Sequence, residues 1–222
     1  MGIEIPRLYA ILDAAQVGDA SIPSVVEMLL SAGVTLIQYR DKRASSRELY
    51  ERCRLLLEHI RPAGGTLIVN DRADVARAAD ADGVHVGQED LPVELARRVV
   101  GDGKWVGCST HNLEQVRQAD KSAADYIGFG PIFATRSKER PDPVVGLAGL
   151  REARRATNKP IVAIGGITRA NVRAVFEAGA DSVAVIQDLL QAEDIAARAQ
   201  EFLHLLADWE ASARTASANF QQ

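Results

Sequence analysis

Aromatic residues are scarce in this chain, at 5% of 222 positions, although apolar residues as a whole make up 47%. Ala, Val, Leu and Ile must therefore build the core. That favours helices packed on strands over an aromatic-rich β-sandwich. Cysteine is rarer still: Cys53 and Cys108 are the only two, far apart and without metal-ligand spacing. Cys53 falls in a helical pattern and Cys108 in a strand, which suits packing residues in a reducing compartment. Excess positive charge is missing too. The formal net charge is −4, so no overall basic field draws in nucleic acid. No apolar run approaches the roughly 20 residues that span a bilayer. The start of the chain lacks a basic stretch followed by an apolar one and a cleavage site. A cytoplasmic enzyme with neither nucleic-acid nor membrane partners is expected, and its state as monomer or homo-oligomer is open.

Strand-like and helix-like patterns alternate eight times. Short apolar runs fall at 8–12, 36–40, 67–70, 83–86, 105–108, 126–130, 161–164 and 182–186. Continuous runs of this kind suit parallel strands buried on both faces. Amphipathic helical segments lie between them at 24–31, 47–60, 91–100, 113–119, 147–156, 169–178 and 192–206, with a shorter one at 73–79. The expectation is a single α/β domain, a (β/α)8 TIM barrel over residues 1–210, followed by a frayed tail at 211–222. A doubly wound sheet has nearly the same element list, but no Gly-x-Gly-x-x-Gly turn follows the first strand. No linker or low-complexity segment interrupts the chain. The longest interior connection, 134–146, follows the sixth strand and contains Arg140-Pro141-Asp142-Pro143. Long loops in compact domains are often functional, and closure of this one over a site is expected.

In such a barrel the chemistry sits at the C-terminal strand ends. The second strand ends in Gln38-Tyr39-Arg40-Asp41-Lys42, and alternation puts Gln38, Arg40 and Lys42 on one side. Arg offers a planar fork to phosphate and Lys a mobile charge; a merely solvated loop is the alternative. Asn70-Asp71 ends the third strand and Gln88-Glu89-Asp90 follows the fourth. Hard divalent cations such as Mg²⁺ take one or two carboxylates plus substrate phosphates, although Asp71 and Asp90 would also serve as helix caps. Ser109-Thr110-His111 ends the fifth strand, Thr135-Arg136-Ser137-Lys138 follows the sixth, Gly165-Gly166 the seventh, and Ile186-Gln187 the eighth. The glycine pair admits either a phosphate at a helix start or a tight turn. His111 is an acid–base candidate or a cap. His85, inside a strand, reads as a hydrogen-bonded structural histidine.

Several blocks, in order, resemble the thiamine-phosphate synthase family. They are Gln38-Tyr39-Arg40-Asp41-Lys42; 70–76, beginning Asn70-Asp71-Arg72; 81–92, containing His85-Val86-Gly87-Gln88-Glu89-Asp90; 107–111; 124–133; and 163–167. The resemblance implies a (β/α)8 barrel that joins hydroxymethylpyrimidine diphosphate to a thiazole phosphate, releasing pyrophosphate. It also implies the roles of individual residues. Gln38, Tyr39, Arg40, Asp41, Lys42, Asn70, Ser109 and Lys138 would surround the pyrimidine diphosphate, with Arg40, Lys42, Ser109 and Lys138 acting in catalysis. Asp71 and Asp90 would hold Mg²⁺. Thr135, Arg136, Ser137, Gly166, Ile186 and Gln187 would surround the thiazole phosphate, and Asp188 would repel that phosphate if its carboxylate faced it. Three other readings share much of this chemistry. A thiazole tautomerase would need His111 and no carboxylate pair. A non-catalytic phosphate sensor would bind without turnover. A phosphosugar isomerase would need a paired acid and base.

Overall fold

The computed structural model describes residues 3–17, 22–135 and 142–219. Eight strands follow one another around a closed barrel: β1 Leu8–Asp13, β2 Leu36–Arg40, β3 Thr66–Asn70, β4 Gly83–Val86, β5 Trp105–Thr110, β6 Tyr126–Phe129, β7 Ile161–Ile164 and β8 Ser182–Val185. Neighbours are parallel throughout, and β8 pairs with β1. That closure excludes the open doubly wound sheet. Around the barrel run α1 Ile22–Ser31, α2 Ser46–Ile60, α3 Ala73–Ala79, α4 Val93–Val100, α5 Leu113–Lys121, α6 Gly146–Ala156, α7 Val172–Glu177, the four-residue α8 Gln187–Leu190, and α9 Ile195–Asn219. Among the described residues no helix is long and apolar enough to cross a membrane.

Local chemistry explains several boundaries. Before α2, the Ser45 hydroxyl accepts from Glu48 N and the Glu48 carboxylate accepts from Ser45 N, a reciprocal cap of two orphan donors. Asn112 caps α5 by accepting from Gln115 N at 3.0 Å. The last helix differs from expectation. It continues through 211–219, where the sequence suggests a frayed tail. Phe202 and Leu206 bury one of its faces, and Trp209 packs on Phe176 with ring centroids 5.0 Å apart. The Arg7 guanidinium lies 5.7 Å from each of those two ring centroids.

The closed sheet separates two apolar layers. The larger lies between strands and helices; the smaller fills the barrel with Tyr9, Ile11, Leu36, Ile68, Tyr126, Val162 and Ala184. Alternate residues of each strand face inward. So β1 turns Tyr9 and Ile11 inward, and β2 turns Leu36 with Gln38 next on the same side. Tyr39 faces the helix layer, fully buried.

At the opposite end from the C-terminal rim, one device occurs three times. An Ala-Asp pair precedes β4, β6 and β8. In each case the aspartate Oδ2 accepts from a backbone N–H at the start of the preceding strand. Leu67 N donates to Asp82 at 2.8 Å, Val106 N to Asp125 at 2.7 Å, and Ile161 N to Asp181 at 2.8 Å. Arg97 pairs with Asp125, and Arg154 with Asp181. Charge-assisted bonds of this kind are stronger than neutral ones.

Candidate active site

The C-terminal strand ends surround a cavity of about 170 Å³. Strand register brings its polar groups together. Tyr9 and Gln38 enter from β1 and β2, Asn70 from β3, His85 from β4, and Ser109 from β5. Gly128 enters from β6, Gly130 and Thr135 follow it, Gly165 and Gly166 follow β7, and Ile186, Gln187 and Asp188 follow β8. The sequence-predicted residues Gln38, Arg40, Asn70, Ser109, Thr135, Gly166, Ile186 and Gln187 thus line one space. Arg136, Ser137 and Lys138 lie outside the described residues.

Tyr39 and Asp41 are not brought to the cavity. The Tyr39 side chain occupies the helix layer, where its hydroxyl donates to Asp41 Oδ2 at 3.3 Å. The other Asp41 oxygen accepts from the backbone N–H groups of Arg43 and Ala44, and Arg52 pairs with the carboxylate. Those donors hold the Asp41 carboxyl below its usual range against the opposing effect of burial. Asp41 therefore shapes the turn after β2, and the parity that points Arg40 inward points both of its neighbours elsewhere.

Arg40 is held by a partner the sequence pattern did not single out. Register sets Asp13 beside Arg40, and Arg40 Nη1 donates to Asp13 Oδ2 at 2.6 Å. Asp13 is only 2% exposed, and its second oxygen accepts from Ala15 N.

On the β2–β4 side stand the two acidic residues expected to bind metal. Asp71, at φ 64°, donates its backbone N–H to His85 O at 2.7 Å. Its carboxylate pairs with Lys42 and is close enough to Asp90 to feel its charge. Asp90 Oδ2 in turn accepts from Gly87 N at 2.8 Å. Burial pushes the Asp71 carboxyl upward, Lys42 opposes this, and the neighbouring Asp90 carboxylate adds to the rise. Among the described residues no group of three or more His, Cys, Asp or Glu converges. Two close carboxylates next to the cavity wall at Asn70 fit a hard cation that completes its shell with ligand oxygens and water. They do not fit a closed structural zinc site.

Five polar groups make the floor. Gln38 Nε2 donates to Tyr9 Oη at 2.8 Å, and the Tyr9 and Tyr126 hydroxyls meet at 3.0 Å. Tyr126 Oη lies 3.1 Å from His85 Nδ1, and His85 Nε2 lies 2.8 Å from Ser109 Oγ. Both phenols are fully enclosed, and burial raises their pKa values well above the ordinary range, so both keep their protons. Gly107 makes this layer feasible: a Cβ there would come within 2.4 Å of both His85 Nδ1 and Tyr126 Oη.

The β7–β8 side is built from backbone. Gly165 and Gly166 have φ values of 101° and 61°, conformations that favour glycine. A Cβ on Gly165 would lie 2.5 Å from Pro131 Cβ, and one on Gly166 would lie 2.5 Å from Ala134 O. In the described structure their missing side chains therefore admit the segment after β6. Asp188 lines the cavity, yet its charge is matched: Arg198 Nη1 lies 2.6 Å from Oδ1, and Arg169 N donates to Oδ2 at 3.0 Å. Glu201 links Arg169 and Arg198.

His111 sits on the rim with Nδ1 2.6 Å from Gly130 O and Nε2 3.4 Å from Asp142 Oδ2. A carbonyl only accepts, so Nδ1 carries a proton. Neither thiol suits nucleophilic work. Burial pushes Cys53 up to about 12 and, with Glu94 adding, Cys108 up to about 11. The chemistry available is thus anion binding by Arg40, Lys42 and Ser109, cation binding by the carboxylate pair, and exact placement of an organic ligand. Tyr9, Tyr126, His85, Asp13 and Asp142 were missed as site residues. Inward parity on β1 and β4 was the signal for Tyr9, Asp13 and His85.

Comparisons with known proteins give the family. The family model described as thiamine monophosphate synthase (TMP-TENI) matches residues 8–189. A thiamine-phosphate synthase of Koribacter versatilis is 54% identical over 209 residues, covering 92% of this chain and 98% of that protein. One from Chloroflexus aurantiacus is 48% identical, covering 90% and 92% respectively. The solved thiamine phosphate pyrophosphorylase of Pyrococcus furiosus superposes with a TM-score of 0.83 at 37% identity, covering 91% of this chain and 96% of that one. The chain belongs to the thiamine monophosphate synthase family and is a transferase enzyme of thiamine biosynthesis.

Proposed function

We propose that the enzyme joins 4-amino-2-methyl-5-hydroxymethylpyrimidine diphosphate to 4-methyl-5-(2-phosphooxyethyl)thiazole, giving thiamine phosphate and pyrophosphate. The observation that carries this reading is the neighbouring carboxylates of Asp71 and Asp90, with Asp71 paired to Lys42, beside a cavity lined by Arg40 and Ser109. A diphosphate with its metal needs that combination of carboxylates and cations; a thiazole tautomerase does not.

The reaction breaks the C–O bond between the pyrimidine methylene and the diphosphate. The electron pair leaves with pyrophosphate. The electron-rich aminopyrimidine stabilises the carbocation left behind, and the thiazole nitrogen lone pair then forms the new C–N bond. Arg40, fixed by Asp13, and Lys42 spread the charge growing on the leaving oxygens, and Ser109 donates to them. Asp71 and Asp90 would hold Mg²⁺, which supplies further charge neutralisation on the diphosphate. Gln38 and Asn70 orient the pyrimidine. Thr135, Gly166, Ile186 and Gln187 take the thiazole phosphate. Gln187 and Asp188, at the start of α8, line the cavity there. Holding both reactants in line supplies much of the remaining acceleration. Lys138, together with Arg136 and Ser137, belongs to the same reading from sequence, as does closure of the 134–146 connection to keep water from the carbocation. The enzyme would act in the cytoplasm on small phosphorylated substrates.

The test is product formation from the two substrates with Mg²⁺ and with chelator. Metal-dependent appearance of thiamine phosphate and pyrophosphate supports the reading. A folded protein that binds either phosphate ligand without turnover overturns it. Lys138→Ala is expected to lower kcat more than it raises KM; an unchanged kcat removes Lys138 from the leaving-group role.

A further inference from the structure

We infer that the five polar groups of the cavity floor form a one-directional hydrogen-bond relay, Gln38 to Tyr9 to Tyr126 to His85 to Ser109, which fixes how both ends meet the substrate. This rests on the proposed function for the identity of the ligand, but the relay itself is a property of the free protein. Its links measure 2.8, 3.0, 3.1 and 2.8 Å. It runs from β2 through β1, across the barrel interior to β6, and back to the rim through β4 and β5. Gln38, His85 and Ser109 line the cavity, whereas Tyr126 is completely buried.

Proton counting gives the direction. Gln38 presents its amide N–H to Tyr9. The Tyr9 oxygen, already accepting, passes its own proton to Tyr126. Tyr126 then donates to His85 Nδ1, which must be bare, so the imidazole proton lies on Nε2. That proton goes to Ser109 Oγ, and the Ser109 proton points outward into the cavity. A flipped Gln38 amide would reverse every link: the imidazole proton would move to Nδ1, and Ser109 would offer only lone pairs. Mixed states set two donors or two acceptors face to face inside the barrel, which leaves a buried polar group unsatisfied. The relay therefore has two concerted polarities.

Only one of them suits the ligand. A phosphate oxygen accepts but does not donate, so it needs the Ser109 hydroxyl proton. In that same polarity the Gln38 carboxamide turns its oxygen away from Tyr9, as an acceptor for an amino N–H such as that of an aminopyrimidine. One buried chain thus couples the recognition of an amine at one end to donation toward a leaving phosphate at the other. Tyr126 touches neither and acts as a positioning residue. His85, which sequence reasoning left as structural, is the joint through which it works.

The experiment begins with long-range ¹H–¹⁵N spectra of the substrate-free full chain. The chain has four histidines, and His85 is identified by signal loss in His85→Asn. The neutral tautomer with its proton on Nε2 is expected. A proton on Nδ1 alone overturns the direction from Gln38 to Ser109, and protons on both nitrogens overturn the relay itself, whether or not the protein turns over. Kinetics follow with Tyr126→Phe, Tyr9→Phe and the double variant. Each single variant should lower kcat/KM for the pyrimidine diphosphate about tenfold, as expected for one lost hydrogen bond, with KM for the thiazole phosphate unchanged within about twofold. The double variant should lose no more than either single one, because one break ends the relay. Additive losses, or equal effects on both substrates, overturn it. Should wild type show no synthesis, the same comparison is made on inorganic pyrophosphate affinity. In that case the proposed function fails while the relay is still tested.

Discussion

Arg40 and Asp13 stand side by side at the ends of β2 and β1, with Nη1 2.6 Å from Oδ2. Arg40 also lines the cavity, so Asp13 fixes a cation at its wall. Asp13→Ala should raise KM for the pyrimidine diphosphate several-fold while sparing that for the thiazole phosphate. Because the partner cation is left partly buried, unfolding stability should fall by about 1–3 kcal/mol. Steady-state kinetics and urea denaturation read the two effects; equal losses for both substrates would show that Arg40 does not discriminate between them.

The carboxylate pair carries an opposite expectation. Asp71 and Asp90 repel one another in the metal-free protein. Asp90→Asn should therefore raise metal-free stability by about 1 kcal/mol, as relief of functional strain often does, while cutting turnover at least tenfold and raising the Mg²⁺ concentration required. Thermal melts with chelator and a Mg²⁺ titration of activity check both. A destabilised variant would show that Asp90 chiefly holds its loop through Gly87 N.

Asp188 lines the cavity on the side proposed for the thiazole phosphate, and Arg198 matches its charge. Arg198→Ala should raise KM for the thiazole phosphate about tenfold, with a stronger dependence on salt. Adding Asp188→Asn to that variant should restore most of the affinity. No recovery in the double variant would mean that Arg198 acts through packing instead.

Gly165 has φ 101° and no room for a side chain, since an added Cβ would meet Pro131 at 2.5 Å. Gly165→Ala should cost about 1–3 kcal/mol of stability for the backbone conformation alone. It should also disturb the cavity wall after β6. A melting temperature equal to wild type would contradict that account.

The barrel was legible because its strands are short continuous apolar runs with helical segments between them, and seven of the helices announce themselves by spacing. The short α8 does not, since four residues carry no period. The end of the last helix was misread because Trp209 earns its place through Phe176 and Arg7, contacts far apart in sequence. Within the site, strand-end chemistry exposed Arg40, Asn70 and Ser109, which line the cavity, and the carboxylates of Asp71 and Asp90 beside it. Tyr39 and Asp41 rode along with their neighbours in one block, although strand parity sends them outward. Tyr9 and Tyr126 look like ordinary core aromatics until the closed barrel sets their hydroxyls together. The Ala-Asp pairs before β4, β6 and β8 were plain to read, but their meaning is not local: each aspartate acts on the strand before it.

Those three aspartates fasten the barrel in strand pairs at the end remote from the cavity. Fastening and chemistry are thus kept at opposite poles of the molecule. The rim loops can be exchanged or lengthened while the anchorage below stays intact, which makes this chain a scaffold on which substrate preference can be redesigned without first rebuilding its foundations.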